Sequence, residues 1–309
     1  MSRVRRGTAL ALLVLAAVFA AAAWYDRPPV TPGSWLATAG LEGRYETVAS
    51  QRVRFVRAGT GPAVVLIHGF GSSIYTWKSV IPALLARHEV VALDLPGFGE
   101  SDRPADLSLE ALPRAVIGLM DRLGIERAAL VGNSMGGATA AIVAATAPGR
   151  VGRLVLVDAA GFNLEPQSRP AMVRLTTSWA APLLGLLPGK RLIVERSLRE
   201  VFHDDTLVTA ERVSEYLAPA QRPGTFTAMR SLGASFDASG SRVGEMLAAI
   251  QAPTLVIWGD DDRWIPLADA DRFVAGIKGA RKVLVPACGH MPQEEKPAEL
   301  VRLLLEFLG

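Results

Sequence analysis

Short uninterrupted apolar runs recur along this chain, and helix-like stretches separate them. "AVVLIH" (63–68), "EVVALD" (89–94), "RAALVG" (127–132) and "GRLVLVD" (152–158) each read as a strand buried on both faces. Stretches near 75–86, 108–123 and 135–147 have helical character. Parallel strands need a crossover, and a helix is the usual one, so this alternation predicts a parallel sheet covered on both sides. "RVRFVRAG" (52–59) alternates instead and reads as an outer strand. The rhythm stops after residue 158 and resumes at "PTLVIWG" (253–259), a helix near 267–277, "RKVLVP" (281–286) and a last helix over 297–308. Between them the chain carries Arg, Pro, Trp and Phe in helical pieces. The expected architecture is α/β: a mostly parallel central sheet built from 46–158 and 248–309, with a helical cap inserted at 159–247. The cap is expected over the carboxyl ends of the strands, where open sheets of this kind bind ligands.

The charge pattern excludes a polyanion partner. The formal net charge is +3, yet Arg3, Arg5 and Arg6 stand together at the N-terminus, and without them 30 basic residues face 30 acidic ones. A neutral body leaves no footprint for nucleic acid. Residues 8–25, "TALALLVLAAVFAAAAWY", hold no charge. Residues 1–25 therefore read as a signal-anchor or a signal peptide. The basic flank predicts that the catalytic body lies on the non-cytoplasmic side, held at the membrane. Secretion after cleavage at the alanine run is the alternative. Residues 26–45, with Pro28, Pro29, Pro32 and Gly33, read as a linker. Cys288 is the one cysteine, so no intrachain disulfide forms.

One turn carries the chemistry. "GNSMGG" (132–137) sits between a predicted strand and a predicted helix. A serine at such an elbow is held up from the sheet, and glycines relieve the crowding around it. Ser134 is the candidate nucleophile. It needs a base, and four histidines are available: His68, His88, His203 and His290. Only the last two follow Ser134, and His203 falls in the predicted cap. His290, in the loop after the last predicted strand, is the expected base. The base needs an orienting acid. "WGDDDRWIP" (258–266) offers three aspartates. Asp262 lies far enough along the loop to turn back toward His290. Asp260 and Asp261 read as turn or capping residues, and Asp158, at the end of an earlier strand, is the second candidate acid. The oxyanion donors are expected from the backbone N–H groups of Phe70 and Met135. Trp179, Phe162, Phe202, Phe226 and Phe236 are candidates for an acyl pocket or for cap core. No His/Cys cluster has metal-ligand spacing, no dinucleotide fingerprint stands in a βαβ position, and no metal or cofactor is expected.

"LIHGFGSS", "DLPGFGESDRP", "GNSMGG", "WGDDDRWIP" and "CGHMPQEEKP", in this order, resemble the α/β-hydrolase superfamily over residues 50–158 and 248–309. The resemblance implies a Ser134–His290–Asp262 triad with an oxyanion hole at Phe70 and Met135. Serine at the elbow separates the chain from haloalkane dehalogenases and epoxide hydrolases, which carry aspartate there. The leader followed by "HGF" and "SMGG" is similar to membrane-anchored monoacylglycerol lipases. The "GNSMGGATA" elbow is similar to the meta-cleavage-product hydrolases, whereas "HGFGSS" and Met291 depart from that group. The implied activity is hydrolysis of small to medium apolar or lipid-like carboxylic esters through an acyl-enzyme. Carbon–carbon bond hydrolysis is the alternative enzyme reading. A non-catalytic ligand receptor on the same fold is the alternative from another class. Oligomeric state has no signal in the sequence.

Overall fold

Val64, Val65, Leu66 and Ile67 are all but inaccessible to solvent, as a strand covered on both faces must be. They lie at the centre of the computed structural model, which describes residues 3–162, 169–239 and 242–309. Among them, an eight-stranded sheet runs in the order β1-β2-β4-β3-β5-β6-β7-β8. The strands are β1 Arg44–Val48, β2 Gln51–Ala58, β3 Ala63–Ile67, β4 Glu89–Leu93, β5 Ala128–Asn133, β6 Val151–Val157, β7 Thr254–Gly259 and β8 Arg281–Val285. β1 pairs antiparallel with β2, and β2 antiparallel with β4. Every other neighbour is parallel. The expected outer strand is β2, and β1 lies outside it as a further edge.

Alternate strand residues feed two cores. Val65, Ile67, Leu130, Leu156 and Val256 pack on one face. Val64, Leu66, Val131, Val155 and Ile257 pack on the other. Each such side chain contributes about 1.5–3 kcal/mol by leaving water. Every strand that carries a predicted site residue thus ends in a rigid layer, and the loops at its carboxyl end inherit that rigidity.

The described residues of 159–247 form only helices, the longest being Lys190–Val201, Ala210–Gln221 and Thr225–Ser239. Residues 163–168 and 240–241 of the predicted cap lie outside the described residues.

The stretch expected as a linker is packed. Trp35 and Leu36 are buried in the same core as Ile74, Tyr75 and Trp77. The backbone N–H of Val30 donates to Ser214 Oγ at 3.0 Å, and that of Gly33 donates to the Glu215 carboxylate. Asp26 caps the cap helix Lys190–Val201: its carboxylate accepts from the N–H groups of Gly189 (2.7 Å), Lys190 (3.2 Å) and Arg191 (2.9 Å). These donors have no intrahelical partner, and a carboxylate also suits the positive end of the helix. Replacing Asp26 with alanine is expected to lower stability by about 1 kcal/mol, measured by thermal or denaturant unfolding.

The leader is one helix, Arg3–Tyr25. Residues 1–2 lie outside the described residues, as do the side chains of 3–7, 9 and 10, with Arg3, Arg5 and Arg6 among them. Leu12, Leu13, Val14, Leu15, Val18, Phe19 and Trp24 are exposed. Among the described residues, no helix is long and apolar enough to cross a membrane. The expected transmembrane anchor therefore gains no support from the structure.

Candidate active site

Ser134 stands between β5 and the helix Met135–Thr146 with φ 55° and ψ −121°. That is a strained conformation for a residue with a side chain, costing on the order of 1–3 kcal/mol. Three backbone bonds hold it. The Ser134 N–H donates to the Val157 carbonyl (3.0 Å), and the Ser134 carbonyl accepts from Ala138 (3.1 Å) and Ala160 (3.0 Å). The glycines of the motif make this close approach possible. A Cβ on Gly132 would lie 2.2 Å from the Gly136 carbonyl oxygen, and one on Gly137 would lie 2.5 Å from Ala159 Cβ. The elbow leaves Ser134 at the N-terminus of a twelve-residue helix, whose positive end faces any charge that develops there.

His290 and Asp262 meet behind it. His290 Nδ1 lies 2.7 Å from Asp262 Oδ2, with side-chain exposures of 3% and 1%. The other oxygen of Asp262 accepts from the N–H groups of Trp264 (2.7 Å) and Ile265 (3.0 Å). Asp262 is thus an aimed acceptor, and Nδ1 carries the proton. His290 Nε2 is buried and has no hydrogen-bond partner among the described residues. His290 and Ser134 line the same cavity. The other two aspartates have different tasks. Asp261 pairs with His203 (2.8 Å) and Arg263 (2.7 Å), and Asp260 accepts from the Cys288 N–H.

The loop carrying Phe70 lies against Ser134. A Cβ on Gly69 would stand 3.1 Å from Ser134 Cβ and from Asn133 Oδ1. Phe70, Ser134 and Met135 line one cavity together. His68 braces this loop: its Nε2 accepts from the Leu95 N–H at 2.9 Å, and its Nδ1 donates to the Gly69 carbonyl at 2.7 Å. Burial lowers its pKa below the ordinary histidine range, so it stays neutral.

Two apolar lobes open from Ser134. One is lined by Met172, Val194, Leu198, Phe226 and Met229. The other is lined by Ala160, Phe162, Leu232, Phe236 and Ile265. Phe70, Val173 and Trp264 border both. Phe162, Phe226 and Phe236 are therefore pocket walls. Phe202 is fully buried in the cap core, and Trp179 is 83% exposed, so neither lines the lobes. Cys288 is buried, which pushes its thiol well above the usual range and leaves it inert.

Several site residues carry no motif signal. Asn133 donates from Nδ2 to the Val157 carbonyl and to the His290 carbonyl, both at 3.1 Å. It ties the end of β5 to the loop of His290. Its only sequence signal is its place beside Ser134. Asn133→Ala takes the amide donor from the buried His290 carbonyl, while the Val157 carbonyl keeps the Ser134 N–H, and is expected to cost about 1–3 kcal/mol of stability. A kcat some tenfold lower is expected with it, read in the same preparation by steady-state kinetics. Trp264 lies tilted beside the His290 ring, with centroids 5.5 Å apart. The cap helix end reaches the base as well, because the Val201 carbonyl accepts from the His290 N–H at 2.8 Å. Glu294, buried, accepts from Thr76 (2.8 Å), Arg212 (2.7 Å) and Tyr216. This knot fastens the cap helix Ala210–Gln221 beside the first lobe.

Asp158, the second candidate acid, stands next to the first. Ligand atoms of Asp158, Asp262 and His290 all lie within 4.8 Å of one another. Spacing along the chain hides this grouping, because three separate loops assemble it. Among the described residues no other grouping of His, Cys, Asp and Glu is spaced this closely, and closeness alone does not make it a metal site. The 2.7 Å contact between His290 and Asp262 already serves as a hydrogen bond.

A family model described as the alpha/beta hydrolase fold matches residues 62–297, the span that holds the elbow, the base and both aspartates. The chain is an α/β hydrolase. This hydrolase is 36% identical over 272 residues to the 2-hydroxy-6-oxo-6-phenylhexa-2,4-dienoate hydrolase of Comamonas testosteroni, covering 83% of this chain and 91% of the relative. It is 34% identical over 270 residues to a 2-hydroxy-6-oxononadienedioate/2-hydroxy-6-oxononatrienedioate hydrolase of the same organism, covering 84% and 91%. Among solved structures it resembles a membrane phospholipase A, with TM-score 0.76 and 29% identity over 98% of both chains. It also resembles a meta-cleavage product hydrolase, with TM-score 0.75 and 30% identity over 86% of this chain and 97% of the other.

Proposed function

We propose that this α/β hydrolase cleaves apolar, lipid-like carboxylic esters through an acyl-enzyme on Ser134. The observation that carries this reading is the buried His290–Asp262 pair, with Nε2 left unpartnered and His290 and Ser134 lining one cavity. Ser134 Oγ attacks the ester carbonyl and gives its proton to His290 Nε2, while Asp262 holds the imidazole and offsets its new charge. The N–H groups of Phe70 and Met135 receive the oxyanion. Collapse expels the alcohol, which takes the proton back from His290, and water then repeats the cycle to release the acid.

The two lobes favour an ester with apolar groups on both sides of the carbonyl. One lobe takes the acyl chain and the other the alcohol portion. The cap that walls both lobes, 159–247, acts as a separate unit inserted between the core segments 46–158 and 248–309. The exposed apolar side chains of the leader support placement of the body at a membrane surface, and the basic flank Arg3, Arg5 and Arg6 favours the non-cytoplasmic side. Secretion after cleavage is the alternative.

Carbon–carbon hydrolysis is the second reading. The names of the curated relatives and the elbow "GNSMGG" favour it. A dienoate brings a carboxylate into the site, and Arg169 at the edge of the second lobe is the cation that would meet it. One comparison separates the two: kcat/KM of the purified enzyme for p-nitrophenyl acyl esters and for a ring-fission dienone. Ester turnover at least about tenfold more efficient supports the first reading. The reverse ranking replaces it with the second. Tight ligand binding with no turnover of either would make the chain a receptor.

A further inference from the structure

Asp158 is a buried carboxyl that the proposed chemistry leaves unused. It ends β6, one strand away from the loop of Asp262, with φ 43°. Its backbone N–H donates to the Ile257 carbonyl at 3.0 Å, which fixes it against β7. Its Oδ1 accepts from the Gly259 N–H at 2.9 Å. Its Oδ2 is buried, and no donor reaches it among the described residues. Asp262, by contrast, accepts two backbone N–H groups and the His290 ring. Two carboxylates this close, out of water, cannot both hold a charge. The better-solvated one by hydrogen bonds keeps it, so the proton rests on Asp158. Burial, the neighbouring Asp262 and the more distant Glu295 all hold the Asp158 carboxyl well above the usual carboxylate range. The other titratable groups facing it are the Cys288 thiol, held neutral by burial, and the His290 imidazole, within 4.8 Å.

We propose that Asp158 and Asp262 form a proton-sharing pair in which Asp158, through its Oδ2, positions the Asp262 carboxylate and stands in as the acid for His290 when Asp262 is lost. In the intact enzyme Asp158 is a positioning residue: its O–H donates to Asp262, fills the unpartnered oxygen, and holds the carboxylate toward Nδ1. Without Asp262 the proton of Asp158 leaves to water. The resulting carboxylate, already within 4.8 Å of His290, accepts the imidazole N–H. This inference rests on the serine–histidine chemistry proposed above.

The test uses the full chain in detergent, with p-nitrophenyl ester hydrolysis followed from pH 5 to 10. Removing the acid of a triad ordinarily costs on the order of 10⁴-fold in kcat. Asp262→Asn is expected to lose only about 10²–10³-fold at high pH, since a substitute acid remains. Its residual rate, taken relative to the parent at each pH, is expected to climb as Asp158 ionises. Asp158→Asn is expected to reduce kcat about threefold, and Asp158→Ala about tenfold, because the amide still donates to Asp262 and alanine does not. The Asp158→Asn, Asp262→Asn double variant is expected to fall to the level of His290→Ala at every pH. Asp262→Ala, alone and with Asp158→Asn, repeats the comparison without an added amide. An Asp262 variant no more active than its double, or a pH-dependent gain relative to the parent that survives in the double, overturns the proposal. If Ser134→Ala hydrolyses the ester as fast as the parent, the underlying mechanism fails instead, and the two failures are distinguished.

Discussion

Ser134→Ala is expected to abolish ester hydrolysis, lowering kcat by on the order of 10⁴–10⁶-fold with the fold intact. The size follows from the arrangement around it. In the proposed mechanism the strained elbow, the loop of Phe70 and the His290–Asp262 pair all serve one hydroxyl, and none of them replaces it. His290→Ala is expected to fall about as far, because residues that work as a unit lose the same catalysis whichever one is removed. Combining the two adds little. Thermal melting is expected to shift by no more than a few degrees for Ser134→Ala, since a hydroxyl held at φ 55° contributes strain as well as contacts. Steady-state kinetics and a melting curve on the same preparations check both halves.

Gly136→Ala is expected to be the most damaging change away from the reacting groups. A Cβ at this position would lie 2.2 Å from the carbonyl oxygen of Ile67 and 2.6 Å from that of His68. Both are backbone atoms at the end of β3, so no side chain can swing aside. The elbow helix must lift, or β3 must shift, at a cost of about 3 kcal/mol. The same displacement moves the loop that carries Gly69 and Phe70. A misplacement of about 1 Å there costs on the order of 10²-fold in rate. Activity and stability are therefore lost together, whereas Ser134→Ala separates them. Gly149→Ala is the control: a Cβ there would meet nothing within 4 Å, and neither property is expected to change.

The central strands and the elbow were readable because each is a local signal. A strand covered on both faces is a continuous apolar run, and β3, β4, β5, β6 and β7 all advertise themselves that way. Ser134 follows from the strand, the glycines and the helix around it. His290 follows from scarcity, since so few histidines lie downstream. Asp262 was separable from Asp260 and Asp261 by its distance along the loop, and the structure brings Asp262 to His290 while its neighbours bind elsewhere. What the sequence hid is assembled across the fold. The packed segment around Trp35 looks like linker because its burial depends on distant partners. Asn133 reads as an incidental neighbour until its amide is seen to reach the His290 carbonyl. Asp158 reads as a rival to Asp262, whereas the fold sets the two side by side. The cap resists reading for a related reason. Its aromatic residues have the same composition whether they face the lobes, as Phe226 does, or the solvent, as Trp179 does.

Fluorophosphonate labelling tests the central claim most directly, because the reagent reacts with a serine only when a base and an oxyanion hole activate it. The full chain is treated with the reagent, digested, and its labelled peptide sequenced by mass spectrometry. A single adduct on Ser134, absent in Ser134→Ala and lost in His290→Ala, is the predicted result. An adduct on another residue, or a parent protein that hydrolyses esters while Ser134 stays unlabelled, would contradict the account.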